Sequence, residues 1–225
     1  MEFAYIMAGA FAVVAVVVVI MRVLEKKRAA ALEQVALEMG FHYEHDGQPL
    51  EGPARASIQL FQHGHSQEVH NVLRGRAMGS EAAIFDHQYT VGYGRNEQIF
   101  RQSVAAFRIA PNAPVFQLCP ENFMHRLGSA MGYQDIDFDG NPEFSRRYLL
   151  RGPDEAAIRM FFNPGMLAYL ESLDRNNKWH VEAGGGWIVL YVHKRRRKPQ
   201  DIRLFLDEAQ TLCAGMKANA GALAV

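Results

Sequence analysis

The sequence predicts an α+β protein: an N-terminal transmembrane helix and stalk, then a mainly antiparallel sheet domain with inserted helices and a C-terminal helix. Three observations predict it. The run Phe3–Met21 (FAYIMAGAFAVVAVVVVIM) carries no charge and no proline and ends against Arg22. Short segments of alternating apolar and polar residues, divided by glycine and proline turns, fill the middle of the chain. Helical periodicity then returns after Pro199.

The apolar run reaches about 28 Å at about 1.5 Å per helical residue, close to the ~30 Å hydrocarbon core of a bilayer. Without water to satisfy its backbone, a single spanning segment must be helical, and this overrides the modest helix propensity of valine. A signal peptide would open with a positive region and close on a small-residue cleavage site. Here only Met1 and Glu2 precede the run, and Arg22 follows it. A buried core helix would carry a polar stripe. Arg22, Lys26, Lys27 and Arg28 lie just after the run against Glu2 alone before it. The positive-inside rule then places the N-terminus outside and the remainder in the cytoplasm of a single-pass membrane protein. Ala8, Gly9 and Ala12 supply small residues that would let a protein partner approach within the membrane.

The chain has 24 Lys+Arg and 24 Asp+Glu, so bulk charge gives no reason to expect a nucleic-acid partner. Beyond the run remain about 200 residues, enough for one good core. Aromatic content of 11% supports a packed domain. Two cysteines, Cys119 and Cys213, make no disulfide framework and agree with a reducing compartment. The division is an anchor over 1–24, a stalk helix over 25–45, a cytoplasmic domain over 46–218 and a frayed tail over 219–225.

In order, Glu25–Met39 is helical, with Leu24, Ala31, Leu32, Val35, Ala36 and Met39 on one face and Gly40 as its stop. Asp46-Gly47, Pro49, Gly52 and Pro53 form a loop. Ser57–Gln62 alternates as a strand. Val69–Ala77 and Ala82–Tyr89 flank the turn Met78-Gly79-Ser80, and Gln98–Ala110 continues the sheet. Val115–Leu118 is a strand, and Pro120 suits the first turn of a helix over Glu121–Met131 that Gly132 ends. Ile136 and Phe138 alternate in a short strand, Phe144–Leu150 makes another, and helices follow to Phe161 and over Met166–Leu173, parted by Asn163-Pro164-Gly165. Trp179–Ala183 and Trp187–His193 form a hairpin around Gly184-Gly185-Gly186. The last helix, Gln200 to Lys217, sets Ile202, Phe205, Leu206, Ala209, Leu212 and Cys213 on one face.

Three segments share an ordered pattern: IFDHQYTVGYG (84–94), FQLCPEN (116–122) and GYQDIDFDGNPEFSRRYLLRGPDEAAIR (132–159). Together they resemble an uncharacterised family of bacterial single-pass membrane-anchored proteins. The family pattern runs Phe-Asp-x-x-Tyr, Phe-x-Leu-x-Pro-Glu, Asp-Ile-Asp-Phe, then Phe-Ser-x-x-Tyr-x-Leu-x-Gly. The resemblance spans roughly residues 30–215 and implies an inner-membrane setting and one recurring domain type, but no activity and no catalytic residues.

Several constellations carry chemically capable side chains. Asp135-x-Asp137-x-Asp139-Gly140 matches the first half of a calcium loop, yet its twelfth position is Arg146 and Glu143 falls at the ninth. A solvated strand face accounts for it more simply. His63, His65, His70 and His87 could converge on a metal, although no HExxH occurs and solvent-exposed turn histidines are the plainer reading. Cys119 before a helix N-terminus, with His125 or His87, would make a thiolate site, but its apolar neighbours favour a buried structural thiol. Neither Gly92-Tyr93-Gly94 nor Gly184–Gly186 forms a phosphate-binding fingerprint.

Lys194-Arg195-Arg196-Arg197-Lys198 is a local basic cluster on a neutral protein. With Arg22, Lys26, Lys27 and Arg28 it defines a candidate contact for anionic lipid head groups. No catalytic motif is complete and no cofactor is implied. The sequence favours a membrane protein whose domain is an interaction or lipid-surface module. The alternatives are a membrane-tethered, hydrolase-like enzyme using Asp135–Asp139 or Asp86/His87, and an accessory subunit of a membrane complex.

Overall fold

A computed structural model of the protein describes residues 2–121, 134–175 and 177–220, with side chains at Met7 and from Phe11 onward. The strands are β1 (His42–Glu44), β2 (His65–Ala77), β3 (Ser80–Val91), β4 (Gln98–Arg108), β5 (Phe116–Pro120), β6 (Tyr148–Arg151), β7 (Trp179–Gly184) and β8 (Trp187–Val192). They form one sheet in the order β1-β2-β3-β4-β8-β7-β5-β6, with every neighbouring pair antiparallel. Two hairpins close on two-residue turns whose residues all have positive φ, Met78-Gly79 and Gly185-Gly186. That is the primed geometry matching the right-handed twist of paired strands. Gly185 also has a packing reason, because a Cβ there would press on the backbone of Pro53 and Ala54.

Both faces of the sheet are covered, which explains near-continuous apolar runs such as Ala82–Phe85 and Val104–Phe107. On the first face Leu73, Ile84, Phe107, Leu118 and Leu190 share the main core with residues of five helices. These are α1 (Glu2–Met39), α3 (Pro142–Arg147), α4 (Glu155–Phe161), α5 (Pro164–Ser172) and α6 (Ile202–Asn219). On the second face Phe85, Val104, Ala106 and Val189 lie beneath Ala54, Ile58, Leu60 and Phe61. These come from α2 (Gly52–Ser57) and the 3-10 turn Gln59–Phe61.

The strand expected over Ser57–Gln62 is therefore helical. Pro53 starts α2, and extended Ile58 joins two short helical pieces, so Ile58 and Leu60 reach one core without a pleat. The strand expected over Phe144–Leu150 begins only at Tyr148, because Pro142 nucleates α3 ahead of it. Ile136–Phe138 is not a strand: Leu150 N–H donates to the Asp135 side chain at 3.1 Å, and Ile136 N–H donates to the Leu150 carbonyl at 2.8 Å. A side-chain oxygen in place of a backbone one ends the ladder after that contact. Pro120 is the last residue of β5. The helix expected over Glu121–Met131 lies, beyond Glu121, outside the described residues, as does the tail beyond Ala220.

Helix α1 is unbroken over 38 residues. Gly40 takes φ +69°, Phe41 N–H donates to the Ala36 carbonyl at 2.8 Å and Gly40 N–H to that of Leu37 at 3.1 Å, a Schellman stop at the glycine expected to end the helix. From Arg28 onward the segment read as a stalk is built into the domain: Leu32 and Ala36 enter the main core and Val35 and Met39 pack on it. Among the described residues no helix is long and apolar enough to cross a membrane. The described side chains of α1 are apolar from Phe11 to Met21 and then meet Arg22, Glu25, Lys26, Lys27 and Arg28.

Truncating a docked helix should leave a cavity. Leu32→Ala is expected to cost about 2–5 kcal/mol in a urea titration. Leu37→Ala, at a position 73% exposed on the same helix, should stay within about 0.5 kcal/mol.

Candidate functional site

Asp86 on β3 is the centre of the most connected polar cluster described. The Arg28 guanidinium donates to both carboxylate oxygens, Nε to Oδ2 and Nη2 to Oδ1, each at 2.9 Å. Arg196 Nε donates to Oδ2 at 3.0 Å, Asn71 Nδ2 to Oδ2 at 3.0 Å and Ser103 Oγ to Oδ1 at 2.9 Å. Glu25, one turn before Arg28 on α1, accepts Arg196 Nη1 at 2.5 Å and Nη2 at 2.7 Å. Two carboxylates and two guanidiniums close a neutral box between α1, the sheet and the loop after β8.

Local sequence aims each member. β2 carries a bulge between His70 and Leu73, and Asn71 within it takes φ +54°, which turns its amide toward Asp86. Tyr43 OH then donates to Asn71 Oδ1 at 2.8 Å. Ser103 holds the basic loop by two bonds, its N–H donating to the Arg195 carbonyl at 3.1 Å and its Oγ accepting Arg197 N–H at 2.9 Å, while its hydroxyl proton goes to Asp86. Arg28 Nη1 adds a bond to the Arg197 carbonyl at 2.7 Å. Burial alone would raise the Asp86 pKa, but the Arg28 hydrogen bonds, the Arg196 and Arg28 charges and the Ser103 hydroxyl reverse this and hold it below the ordinary value. The Arg196 hydrogen bonds likewise lower Glu25, against the opposing effect of burial.

The structure thus divides the basic residues picked out by sequence. Arg28, Arg196 and Arg197 have side chains only 12%, 21% and 11% exposed and are spent on Asp86, Glu25, Glu208 and the Phe205 ring. Arg22, Lys26, Lys27, Lys194, Arg195 and Lys198 remain exposed. Lys194 rests its ammonium 4.0 Å from the Phe100 ring centroid. The two clusters, far apart in sequence, meet in space, since Glu25 and Arg28 touch Arg196 and Arg197.

The other sequence candidates do not assemble. Among the described residues no three His, Cys, Asp or Glu side chains gather closely enough for a metal. His63 lies edge-on to Tyr89, His65 binds the Gly92 carbonyl and stacks on Tyr93, His70 bridges Asp46 and Glu68, and His87 meets Gln67. Asp86 and His87, being sequential on a strand, point to opposite faces and cannot act together. Burial, helped by the Arg55 charge, pushes His87 down to about 3. Cys119 is buried, and burial with the Glu182 charge pushes its thiol up to about 12, the reverse of an activated thiolate. His125 lies outside the described residues. Asp135 is occupied by Leu150, while Asp137 and Asp139 face solvent.

Sequence reasoning missed Glu182, fully buried on the second face. It accepts Tyr191 OH at 2.7 Å, Leu60 N–H at 2.8 Å and Gln117 Nε2 at 3.3 Å, and burial still raises its pKa. The available signal was one acid inside the apolar strand Trp179–Ala183. It pins the 3-10 turn that follows α2 to the sheet.

No family model matches the chain, and no curated protein matches it. Among solved structures it is similar to the crystal structure of the mycobacterial trehalose monomycolate transport factor A, TtfA. The TM-score is 0.53 at 13% identity, covering 84% of this chain and 95% of that one. At that identity the likeness is one of fold.

Removing the Asp86 charge would leave two part-buried guanidiniums without their shared counter-ion. Asp86→Asn should cost about 3–5 kcal/mol at neutral pH. Because the folded pKa is depressed, the wild-type contribution is present above the unfolded value of about 3.9 and lost as pH falls through the folded one. Urea midpoints measured from pH 7 to pH 3 should therefore fall less steeply in Asp86→Asn than in the parent.

Proposed function

We propose that the protein is a single-pass membrane-anchored accessory module whose domain works against the lipid surface. The carrying observation is the junction of α1 with the basic loop. Every side chain from Phe11 to Met21 is exposed and none is charged, so this half of α1 has a fully apolar circumference beyond the domain. Such a surface needs a covering of lipid or protein. By sequence the apolar run continues back to Phe3, giving a length of about 28 Å, which suits a bilayer. Immediately below it come Arg22, Lys26 and Lys27, and beside these the exposed Lys194, Arg195 and Lys198.

A basic collar around the base of an apolar helix suits anionic head groups, each charge near the surface adding about 1 kcal/mol. The flanking charges favour an outside N-terminus and a cytoplasmic domain, and the family resemblance implies a bacterial inner membrane. The fold shared with a trehalose monomycolate transport factor supplies a lipid-handling context in the same direction. Arg28 and Arg196 make the attachment stiff, so the domain is held at one orientation to the helix.

The anchor is tested by reporter fusions at the two ends and by flotation of the intact chain with vesicles. A chain that stays at the bottom of the gradient sinks the anchor. A chain beginning at Arg22 keeps the Asp86 clamp and should retain weak, salt-sensitive binding to phosphatidylglycerol vesicles. Replacing Lys194, Arg195 and Lys198 together by Gln should remove about 3 kcal/mol of that binding. Unchanged binding would remove the lipid-surface role.

A further inference from the structure

Beside the clamp, between α1 and the first face of the sheet, lies a cleft of about 260 Å³. Its wall includes Met21, the last residue of the apolar run, and its floor is a row across three strands: Glu68 on β2, Gln88 on β3 and Arg101 on β4. These are direct cross-strand neighbours, Glu68 opposite Gln88 and Gln88 opposite Arg101. Arg101 Nε donates to Gln88 Oε1 at 2.5 Å, and Gln88 Nε2 donates to Glu68 Oε2 at 3.0 Å. The amide therefore holds a cation at one end of the row and an anion at the other.

Neither end is used up. The Arg101 bond to Gln88 engages only Nε, so the outer edge of the guanidinium keeps its Nη donors, and Arg101 is exposed. Glu68 takes Gln88 and His70 on the same oxygen, Oε2, which leaves Oε1 to accept from a ligand. By contrast Asp86 and Glu25, which also line the cleft, have both carboxylate oxygens engaged by the clamp. The cleft thus offers one guanidinium edge for a phosphate and one carboxylate oxygen for an ammonium, beside the His45 ring and a thioether wall leading onto the apolar helix. The volume lies below the range usual for drug-sized ligands and suits a small polar group.

We propose that this cleft binds the head group of a zwitterionic aminophospholipid, its phosphate on Arg101 and its ammonium on Glu68, while the acyl chains run along α1 past Met21. This rests on the membrane-anchored reading and deepens it: the exposed collar gives general attraction to anionic lipid, whereas the cleft selects one head group.

The intact chain in detergent, stripped of lipid, is titrated calorimetrically with dihexanoyl-phosphatidylethanolamine, dihexanoyl-phosphatidylglycerol and chain-free glycerophosphoethanolamine. The first should bind at least about tenfold more tightly than the second. Arg101→Gln should weaken the ethanolamine lipid by about tenfold or more, and Glu68→Gln should abolish the preference over glycerol lipid. Both side chains are exposed, and unchanged circular dichroism checks the fold. Equal affinity for the two lipids, or indifference to both substitutions, overturns the proposal. Glycerophosphoethanolamine binding as tightly as the lipid would overturn the lipid assignment in favour of a soluble phosphodiester. Flotation of the same protein separates the two failures: a chain that floats but does not discriminate loses the cleft alone, and one that does not float loses the anchor.

Discussion

Asp86 collects hydrogen bonds from four separate parts of the chain: Arg28 of α1, Asn71 in the β2 bulge, Ser103 of β4 and Arg196 in the loop after β8. Burying one carboxylate obliges all four to be in place together, since an absent donor leaves a desolvated charge exposed to a penalty of several kcal/mol. Against an apolar replacement of equal volume such a cluster gains little net energy. Its consequence is positional. It fixes the rotation of α1 about its own axis, keeps Asn71 in a left-handed conformation and folds the basic loop back onto the helix.

The same logic accounts for many residues of the three segments 84–94, 116–122 and 132–159. Phe85 stacks with Phe61 under the lid, Asp86 forms the clamp and Tyr89 packs on Phe100. Phe116 and Leu118 are core residues. Asp135 caps the end of the β6 ladder, Ser145 Oγ accepts Phe138 N–H at 3.0 Å, and Tyr148 OH donates to the Leu170 carbonyl at 3.1 Å. A Cβ at Gly152 would strike the Val115 carbonyl and Ile158. Most of these motif residues have architectural tasks, while Asp137 faces solvent. The residues with unspent chemistry, Arg101 and Glu68, lie outside the three segments.

What was legible in sequence follows from how local the signal is. The hairpins at Met78-Gly79 and Gly185-Gly186, the Gly40 stop and the amphipathic α6 are set by neighbours within a few residues, and their positions could be read directly. The α2 lid and α3 were misread because Ile58-x-Leu60 and Phe144–Leu150 imitate strand alternation, while the deciding prolines sit just upstream. The clamp was illegible for a different reason. Arg28 and Arg196 are separated by most of the chain, and as sequence they look like solvated charge beside other charges. Only the sheet order, which puts β8 beside β4, brings the loop to Ser103 and the helix.

Charge clusters read from sequence overstate what is available to a partner, and here the correction works in favour of a defined function. A flexible linker after an apolar segment would let a domain tumble at the surface and present any face. An unbroken helix clamped by two arginines does not. In the proposed arrangement α1 leaves the membrane with its rotation already fixed by Arg28, so the Glu68-Gln88-Arg101 row meets the same depth of the bilayer in every molecule. Rigid coupling of this kind lowers the orientational cost of binding a head group, which must otherwise be met at each encounter. The buried ion cluster and the open cleft are then two parts of one device, one spending its charges on geometry and the other keeping them for a ligand.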